Sequence, residues 1–217
     1  MSYNLSDIDA IIFDMDGTMW NATESYAKVW NQTCASFGMD AGFKGSDLVK
    51  YMGMSIDSIL DHLLGDDLVV GRQQFLEALA VQEDAMMPLL GGELYPGIVD
   101  CLEQLNRHYR LFMLSNCSAR GLINFVNATG TAHFFEGLLT QGERPVEKSE
   151  NLKYMTEKYS LKCPTYVGDT QEDCNQAHNA GLPFVHAQWG FGSCSNAEWH
   201  FVTIQDLTQN FLNTTQL

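Results

Sequence analysis

Positive charge is what this sequence has least of. Twelve lysines and arginines stand against 27 aspartates and glutamates, a formal net charge of -15, and no basic cluster interrupts that balance. Tracking a nucleic-acid backbone takes a stripe of Lys and Arg, so nucleic acid is not an expected partner. The same acidity repels phosphorylated ligands at long range. A ligand of that kind has to be met by a bound cation, or by a few Lys, Arg and backbone N–H groups. Cysteine is present but unpatterned: Cys34, Cys101, Cys117, Cys163, Cys174 and Cys194 include no Cys-x-x-Cys pair. Neither a zinc site nor a disulfide framework is expected, and reduced thiols in a cytoplasmic protein are the default. Cys117, near a candidate catalytic segment, reads as a small semi-buried filler. The histidines show no metal-ligand spacing. No stretch approaches the roughly 20 apolar residues that span a bilayer. Met1–Asp9 has neither the basic n-region nor the apolar h-region of a secretory signal. No membrane partner is expected. Repeats, low-complexity tracts and an obvious association surface are also missing, which leaves a monomer or a weak homodimer.

What is there is an alternation. Asp9–Asp14 is a short continuous apolar run ending in acidic residues and Gly17, the pattern of a strand buried on both faces of a parallel sheet. Arg110–Ser115, Thr165–Val167, Pro183–His186 and a final Phe201–Ile204 are further candidate strands. Helical patterns separate them over Gly97–Asn106, Ala119–Asn127, Glu150–Lys158 and Gln171–Ala180. Strand and helix in turn argue for a doubly wound parallel α/β sheet. From about Met19 to Gly92 the alternation stops, and Thr23–Phe37, Asp47–Tyr51, Ile56–Leu64 and Leu68–Met87 all read as helix. Gly91-Gly92 punctuates the return to the sheet. A helical block inserted directly after the first strand would cover the carboxyl edge of the sheet, where open α/β sheets bind ligands. The expected division is a core of residues 1–18 and 93–217 and a cap of residues 19–92.

The chemistry-bearing residues fall at strand ends. Asp14-Met15-Asp16-Gly17-Thr18 closes the first strand; alone it reads equally as a polar turn. Ser115-Asn116 closes another before a helix, offering a hydroxyl and helix N-terminal N–H groups to a phosphate, or simply an N-cap. Gly168-Asp169, with Asp173 four residues on, brings two carboxylates whose hard oxygens suit a hard cation. Their joint occurrence, in this order along one sheet edge, is far more specific than any one of them.

On these residues the chain resembles the haloacid dehalogenase superfamily, in particular its members with a helical cap after the first strand. Asp14–Thr18 matches the first motif, Ser115-Asn116 the second, Lys148 the third and Gly168-Asp169…Asp173 the fourth. Tyr95-Pro96-Gly97 looks like the re-entry into the core. Ala180-Gly181-Leu182-Pro183 and Trp189-Gly190-Phe191-Gly192 are similar to the phosphoglycolate-phosphatase-like branch. Arg144-Pro145 also lies within reach of the third motif, but Lys148-Ser149-Glu150-Asn151-Leu152 fits this branch's helix start better. The resemblance implies a Rossmann-like doubly wound parallel sheet core with an inserted all-helical cap. It implies a Mg²⁺-dependent phosphatase acting on a small phosphorylated metabolite, phosphoglycolate-like or a sugar phosphate, through an aspartyl-phosphate intermediate. Asp14 would be the nucleophile and Asp16 the acid/base. Asp14, Asp169, Asp173 and the backbone carbonyl of Asp16 would hold Mg²⁺. Lys148, Ser115, Asn116 and Thr18, or N–H groups beside it, would hold the phosphoryl group.

Two departures concern the substrate. Met19-Trp20-Asn21-Ala22 follows Thr18, so Asn21 stands where the family commonly has Asp, and Trp20 is a hinge anchor or a substrate-facing ring. Gly53, in the cap loop Tyr51–Met54, is the candidate for substrate discrimination or an ordinary turn glycine. A phosphomutase of the β-phosphoglucomutase type and a non-catalytic regulatory binding protein are the alternatives. Gly168-Asp169 resembles the phosphatases more than the Glu-Asp form of the mutases, and a non-catalytic protein predicts a lost motif residue where none is lost. A dehalogenase would lack Asp16.

Overall fold

A computed structural model describes residues 3–214 of the chain; the first two residues of the expected core, and its last three, lie outside them. The elements in chain order are β1 (Ala10–Phe13), β2 (Trp20–Asn21), α1 (Thr23–Ser36), α2 (Gly45–Leu48), α3 (Ile56–Leu63), α4 (Arg72–Leu90), β3 (Glu93–Leu94), α5 (Ile98–Leu105), β4 (Arg110–Ser115), α6 (Gly121–Thr129), β5 (Gly137–Thr140), α7 (Lys148–Lys158), β6 (Pro164–Gly168), α8 (Gln171–Asn179), β7 (Phe184–Ala187), β8 (Trp199–Phe201) and α9 (Ile204–Thr214).

Six strands form one sheet in the order β5-β4-β1-β6-β7-β8, with every neighbouring pair parallel. Every residue of β1 is buried because both faces of the sheet are covered, which is why its sequence is an unbroken apolar run. The two-residue period sorts that run. Ile11 and Phe13 join Ile98, Leu102, Leu105, Leu207 and Phe211 of α5 and α9 in one cluster. Ala10 and Ile12 join Leu152, Met155, Cys174 and Ala177 of α7 and α8 in the other. Each large side chain removed from water here contributes roughly 1.5–3 kcal/mol. β1 lies between β4 and β6, so the chain winds outward on both sides of it. That reversal opens a crevice beyond the carboxyl end of β1.

The inserted helices close over that crevice. β2 and β3 pair antiparallel, Trp20 opposite Leu94, and tie the two ends of the insertion together. Within it α1 packs on α4 around aromatic rings, Trp30 lying 5.7 Å and Phe37 6.0 Å from Phe75. α4 runs through Pro88 to Leu90, three residues beyond the expected Met87. Proline gives up one N–H but keeps a helical φ, and Gly91, at φ +61°, ends the helix with its N–H on the Met87 carbonyl. The helix expected over Asp47–Tyr51 is a short α2 followed by a 3-10 turn, Val49–Tyr51.

The short strands β2 and β3 and the helix α9 are additions to the sequence reading. β5 was not expected at all. The last strand is Trp199–Phe201 and not Phe201–Ile204, because Thr203 starts a helix: its Oγ1 accepts the Asp206 N–H at 3.0 Å and its carbonyl accepts that of Leu207. Among the described residues no helix is long and apolar enough to cross a membrane.

Candidate active site

Asp14 leaves β1 with its N–H still bonded to the Val167 carbonyl of β6 at 2.8 Å. The chain then folds back sharply, the N–H groups of Thr18, Met19 and Trp20 all converging on the Met15 carbonyl. Gly17 sits at φ +80° in this loop. A Cβ there would be strained and would collide with the Asp169 carboxylate. The loop is thus wound tightly enough to set Asp14 and Asp16 beside residues from the end of β6.

Lys148, the first residue of α7, reaches into this cluster. Its ammonium donates to Asp14 Oδ1 at 3.2 Å and to Asp173 Oδ1 at 2.6 Å, and all three side chains are almost wholly buried. Arg144 instead bonds Asn151 and lies over the Tyr154 ring, so the lysine beside Asp14 is Lys148. The Tyr166 hydroxyl also lies 3.1 Å from Asp14 Oδ1. Among the described residues no hydrogen bond falls on Asp14 Oδ2. Asp173 is fixed from behind by the N–H and hydroxyl of Thr170, which its Oδ2 accepts at 3.2 and 2.6 Å. Asp169 Oδ2 accepts the N–H groups of Phe191 and Gly192 at 2.7 and 3.2 Å. A Cβ at Gly190 would strike both Asp169 and the Gly17 carbonyl. Asp16 Oδ1 accepts the Trp20 indole N–H at 2.9 Å, and Oδ2 the Tyr26 hydroxyl at 3.3 Å.

Packing these carboxyls together out of water destabilises their charged forms. Burial pushes Asp14 up to about 6 against the pull of Lys148. Asp16 is pushed up to about 8 by burial and then by Asp14, and Asp169 to about 8 by burial, Asp173 and Asp14. Lys148 is held well above its ordinary value, its carboxylate partners outweighing its own desolvation. One ammonium therefore faces more negative charge than it neutralises. Asp14, Asp169 and Asp173 each offer a carboxylate oxygen, all within 4.8 Å of one another. An all-oxygen set with surplus negative charge fits a hard divalent cation.

A cavity of about 510 Å³ opens between this edge and the inserted helices. Asp14, Asp16, Ser115, Asn116 and Gly53 lie on its wall, while Lys148, Asp169 and Asp173 stand behind Asp14. Gly53 reaches the core directly: its carbonyl accepts the Asn116 side-chain N–H at 2.9 Å, and its φ of +86° favours glycine. Thr18 is placed elsewhere. It lines a separate small void with Phe13, Ile98 and Trp189, and its buried hydroxyl has no partner. Trp20 lies on the cavity wall and packs edge-on against Phe125 at 5.0 Å. Asn21 precedes the N-cap residue of α1, Ala22, and its Oδ1 accepts the N–H and hydroxyl of Thr23.

Sequence reasoning missed several contributors. Nothing in the sequence separates Tyr166 from any other core aromatic, nor Glu83, buried on α4 at the cavity wall, from a surface acid. Only the Phe191 and Gly192 N–H groups left a signal, the Gly190-Phe191-Gly192 spacing that lets backbone approach an anion closely.

The arrangement has known relatives. The chain is 27% identical over 211 residues to the phosphoglycolate phosphatase of Synechococcus elongatus, covering 93% of this chain and 96% of the relative. It is 30% identical over 183 residues to an uncharacterized protein of Lacticaseibacillus casei, covering 81% and 82%. Its fold is similar to a haloacid dehalogenase-like hydrolase of Streptococcus pneumoniae, with a TM-score of 0.79 at 20% identity over 95% of this chain and 99% of the other. Residues 11–187, which carry all four motifs, match the family model described as haloacid dehalogenase-like hydrolase, and the chain belongs to that family.

Proposed function

We propose that the protein is a magnesium-dependent phosphatase that cleaves a small phosphate monoester by way of an aspartyl-phosphate on Asp14. The observation that carries this reading is the buried cluster at the ends of β1 and β6, where Asp14, Asp169 and Asp173 crowd together and a single lysine, Lys148, pairs with two of them. The phosphoglycolate phosphatase from Synechococcus elongatus supports the same reaction class. The division into a core of 1–18 and 93–217 and a cap of 19–92 belongs to this proposal, with the β2–β3 ribbon as the hinge.

Asp14, Asp169 and Asp173 would hold Mg²⁺, with the Asp16 carbonyl as a further oxygen. The ion supplies charge neutralisation at the phosphoryl oxygens when bound. Lys148 and Tyr166 orient Asp14 through Oδ1, which leaves Oδ2 to attack. Ser115 and the Asn116 N–H grip the phosphoryl oxygens from the end of β4; the buried Thr18 hydroxyl takes no part. An O–P bond forms to Asp14 as the ester O–P bond breaks, and Asp16 gives its proton to the leaving alkoxide. Asp16 then takes a proton from water as that water's oxygen bonds to phosphorus and the Asp14–phosphorus bond breaks. Trp20 and Tyr26 hold both Asp16 oxygens toward this task.

Asp14→Asn tests the reading. Phosphate release from an aryl phosphate with Mg²⁺ should fall at least about 10³-fold, as expected for loss of a nucleophile. Acid-quenched wild-type enzyme should carry one added phosphoryl group that the variant lacks. Unchanged release in the variant sinks the mechanism.

A further inference from the structure

The far wall of the cavity carries information that the motifs do not. Away from Asp14 and Ser115 its large side chains are mostly apolar, Trp30, Met52, Met54, Ile59 and Leu79 among them, and Asn124 and Gln141 add uncharged amides. At about 510 Å³ it falls within the roughly 300–1,000 Å³ of sites for drug-sized ligands. That is far more room than a phosphoryl group and a two-carbon acid fill. None of the twelve lysines and arginines and none of the six histidines lines it.

Cations on the segments around the wall have other partners. Arg72 pairs with Asp57 and Asp61, Arg120 with Asp84 at 3.6 Å, Arg144 with Asn151, and Lys148 with Asp14 and Asp173. Lys50 lies over the Tyr51 ring. The carboxyl groups the wall presents beyond Asp14 and Asp16 are Asp57, already paired with Arg72, and the buried Glu83; Tyr26 and Cys117 beside them are pushed upward and carry no positive charge. A carboxylate or second phosphate placed there would be desolvated against apolar surface, without a counter-charge and beside an acid.

We infer that the substrate's alcohol part is bulky, apolar and free of negative charge, so that this chain differs in substrate from the relatives named as phosphoglycolate phosphatases. This rests on the phosphatase reading for the phosphoryl end, but the cavity preference can be measured without turnover. Benzylphosphonate and phosphonoacetate present the same kind of phosphoryl end and differ in the remote group. Calorimetric titration with Mg²⁺ should give benzylphosphonate at least about tenfold tighter binding, because the other ligand buries an unpaired carboxylate. In parallel, phosphate release is followed from benzyl phosphate, glucose 6-phosphate and phosphoglycolate, all esters of poor leaving alcohols, so that leaving-group chemistry does not decide the ranking. Benzyl phosphate should have the highest kcat/KM, by at least about tenfold over phosphoglycolate.

Preference for benzylphosphonate with no turnover of any ester would remove the phosphatase reading and leave the cavity inference standing. Phosphoglycolate turned over at least as well as benzyl phosphate would overturn the inference and keep the phosphatase. Glucose 6-phosphate ranking first would overturn the apolar assignment. Equal, reversed or undetectable phosphonate binding would overturn the inference outright.

Discussion

On and just behind the floor of the cavity, Asp14, Asp16, Asp169 and Asp173 each accept hydrogen bonds from groups of other segments, and two glycines exist there because a Cβ would strike Asp169. On the roof, Trp30, Ile59 and Leu79 are constrained only to fill space against their neighbours. The floor is a set of positions, each specified by residue type and atom; the roof is a volume and a polarity. Apolar packing tolerates exchange at similar volume, whereas a misplaced carboxylate oxygen does not. Floor substitutions should therefore act on turnover, and roof substitutions on stability and on which substrate is accepted.

Asp16→Ala should give the largest effect still to be measured. Loss of a positioned acid/base costs about 10²–10⁴-fold. The loss should be greater for benzyl phosphate than for p-nitrophenyl phosphate, whose leaving group departs without a proton. Equal losses on both esters would mean that Asp16 acts only by holding the loop, and the floor would be less chemically specified than its hydrogen bonds suggest.

The same contrast explains what could be read in advance. The floor was legible as a set of positions: Asp14, Asp16, Ser115 and Asp169 stand at or just past strand ends, and the structure brings them to one edge of the sheet with Lys148 and Asp173; their roles belong to the proposed mechanism. The doubly wound sheet was legible from apolar runs such as β1. β5 was not, because Gly137–Thr140 is only partly buried over three of its four residues and presents no continuous apolar run. α9 was hidden by β-branched Val202 and Ile204, which suit a strand until Thr203 caps the helix. That Thr18 faces away from the cavity had no signal in the sequence, because which way the loop turns is set by Met15, Gly17 and Trp20 together. The roof was legible only as helices. That Glu83 comes to lie beside Ser118 depends on how α4 docks over the loop after β4, and no local pattern records such a docking.

On the roof Glu83 is removed from water, whereas Asp57 is exposed. Burial pushes it from 4.5 up to about 7, Asp84 adds to the rise, and the Ser118 hydroxyl opposes it. The other groups facing it, Tyr26 of α1 and Cys117 after β4, are both pushed upward and stay neutral. Because the folded value exceeds the ordinary one, the native state holds this proton more tightly than the unfolded chain does. The associated stability is complete below about pH 4.5 and is lost as pH rises toward about 7, a change of about 3 kcal/mol at roughly 1.4 kcal/mol per pH unit. Glu83→Gln cannot lose it. The melting temperature of wild type should drop relative to Glu83→Gln by several degrees between about pH 5 and about pH 7.5. A difference constant with pH would show that Glu83 is solvated, and the roof would then be a more polar surface than the cavity inference requires.

Tyr26 sets the finest test, because it belongs to cap helix α1 yet its hydroxyl touches Asp16 Oδ2 on the floor. Tyr26→Phe keeps the ring and its packing while removing that donor. The contact is long, 3.3 Å, and the shorter indole bond from Trp20 to the other oxygen remains at 2.9 Å. A hydrogen bond of this kind is worth about 0.5–1.5 kcal/mol net, so kcat should fall by roughly three- to tenfold. KM should hold, since Asp16 acts on the leaving oxygen and not on the bulk of the substrate. A rise in KM with kcat unchanged would instead make Tyr26 part of the roof's substrate surface. A fall as deep as that of Asp16→Ala would mean that closure of the cap, through this one hydroxyl, completes the catalytic floor, and the two halves of the cavity would no longer be separable by mutation.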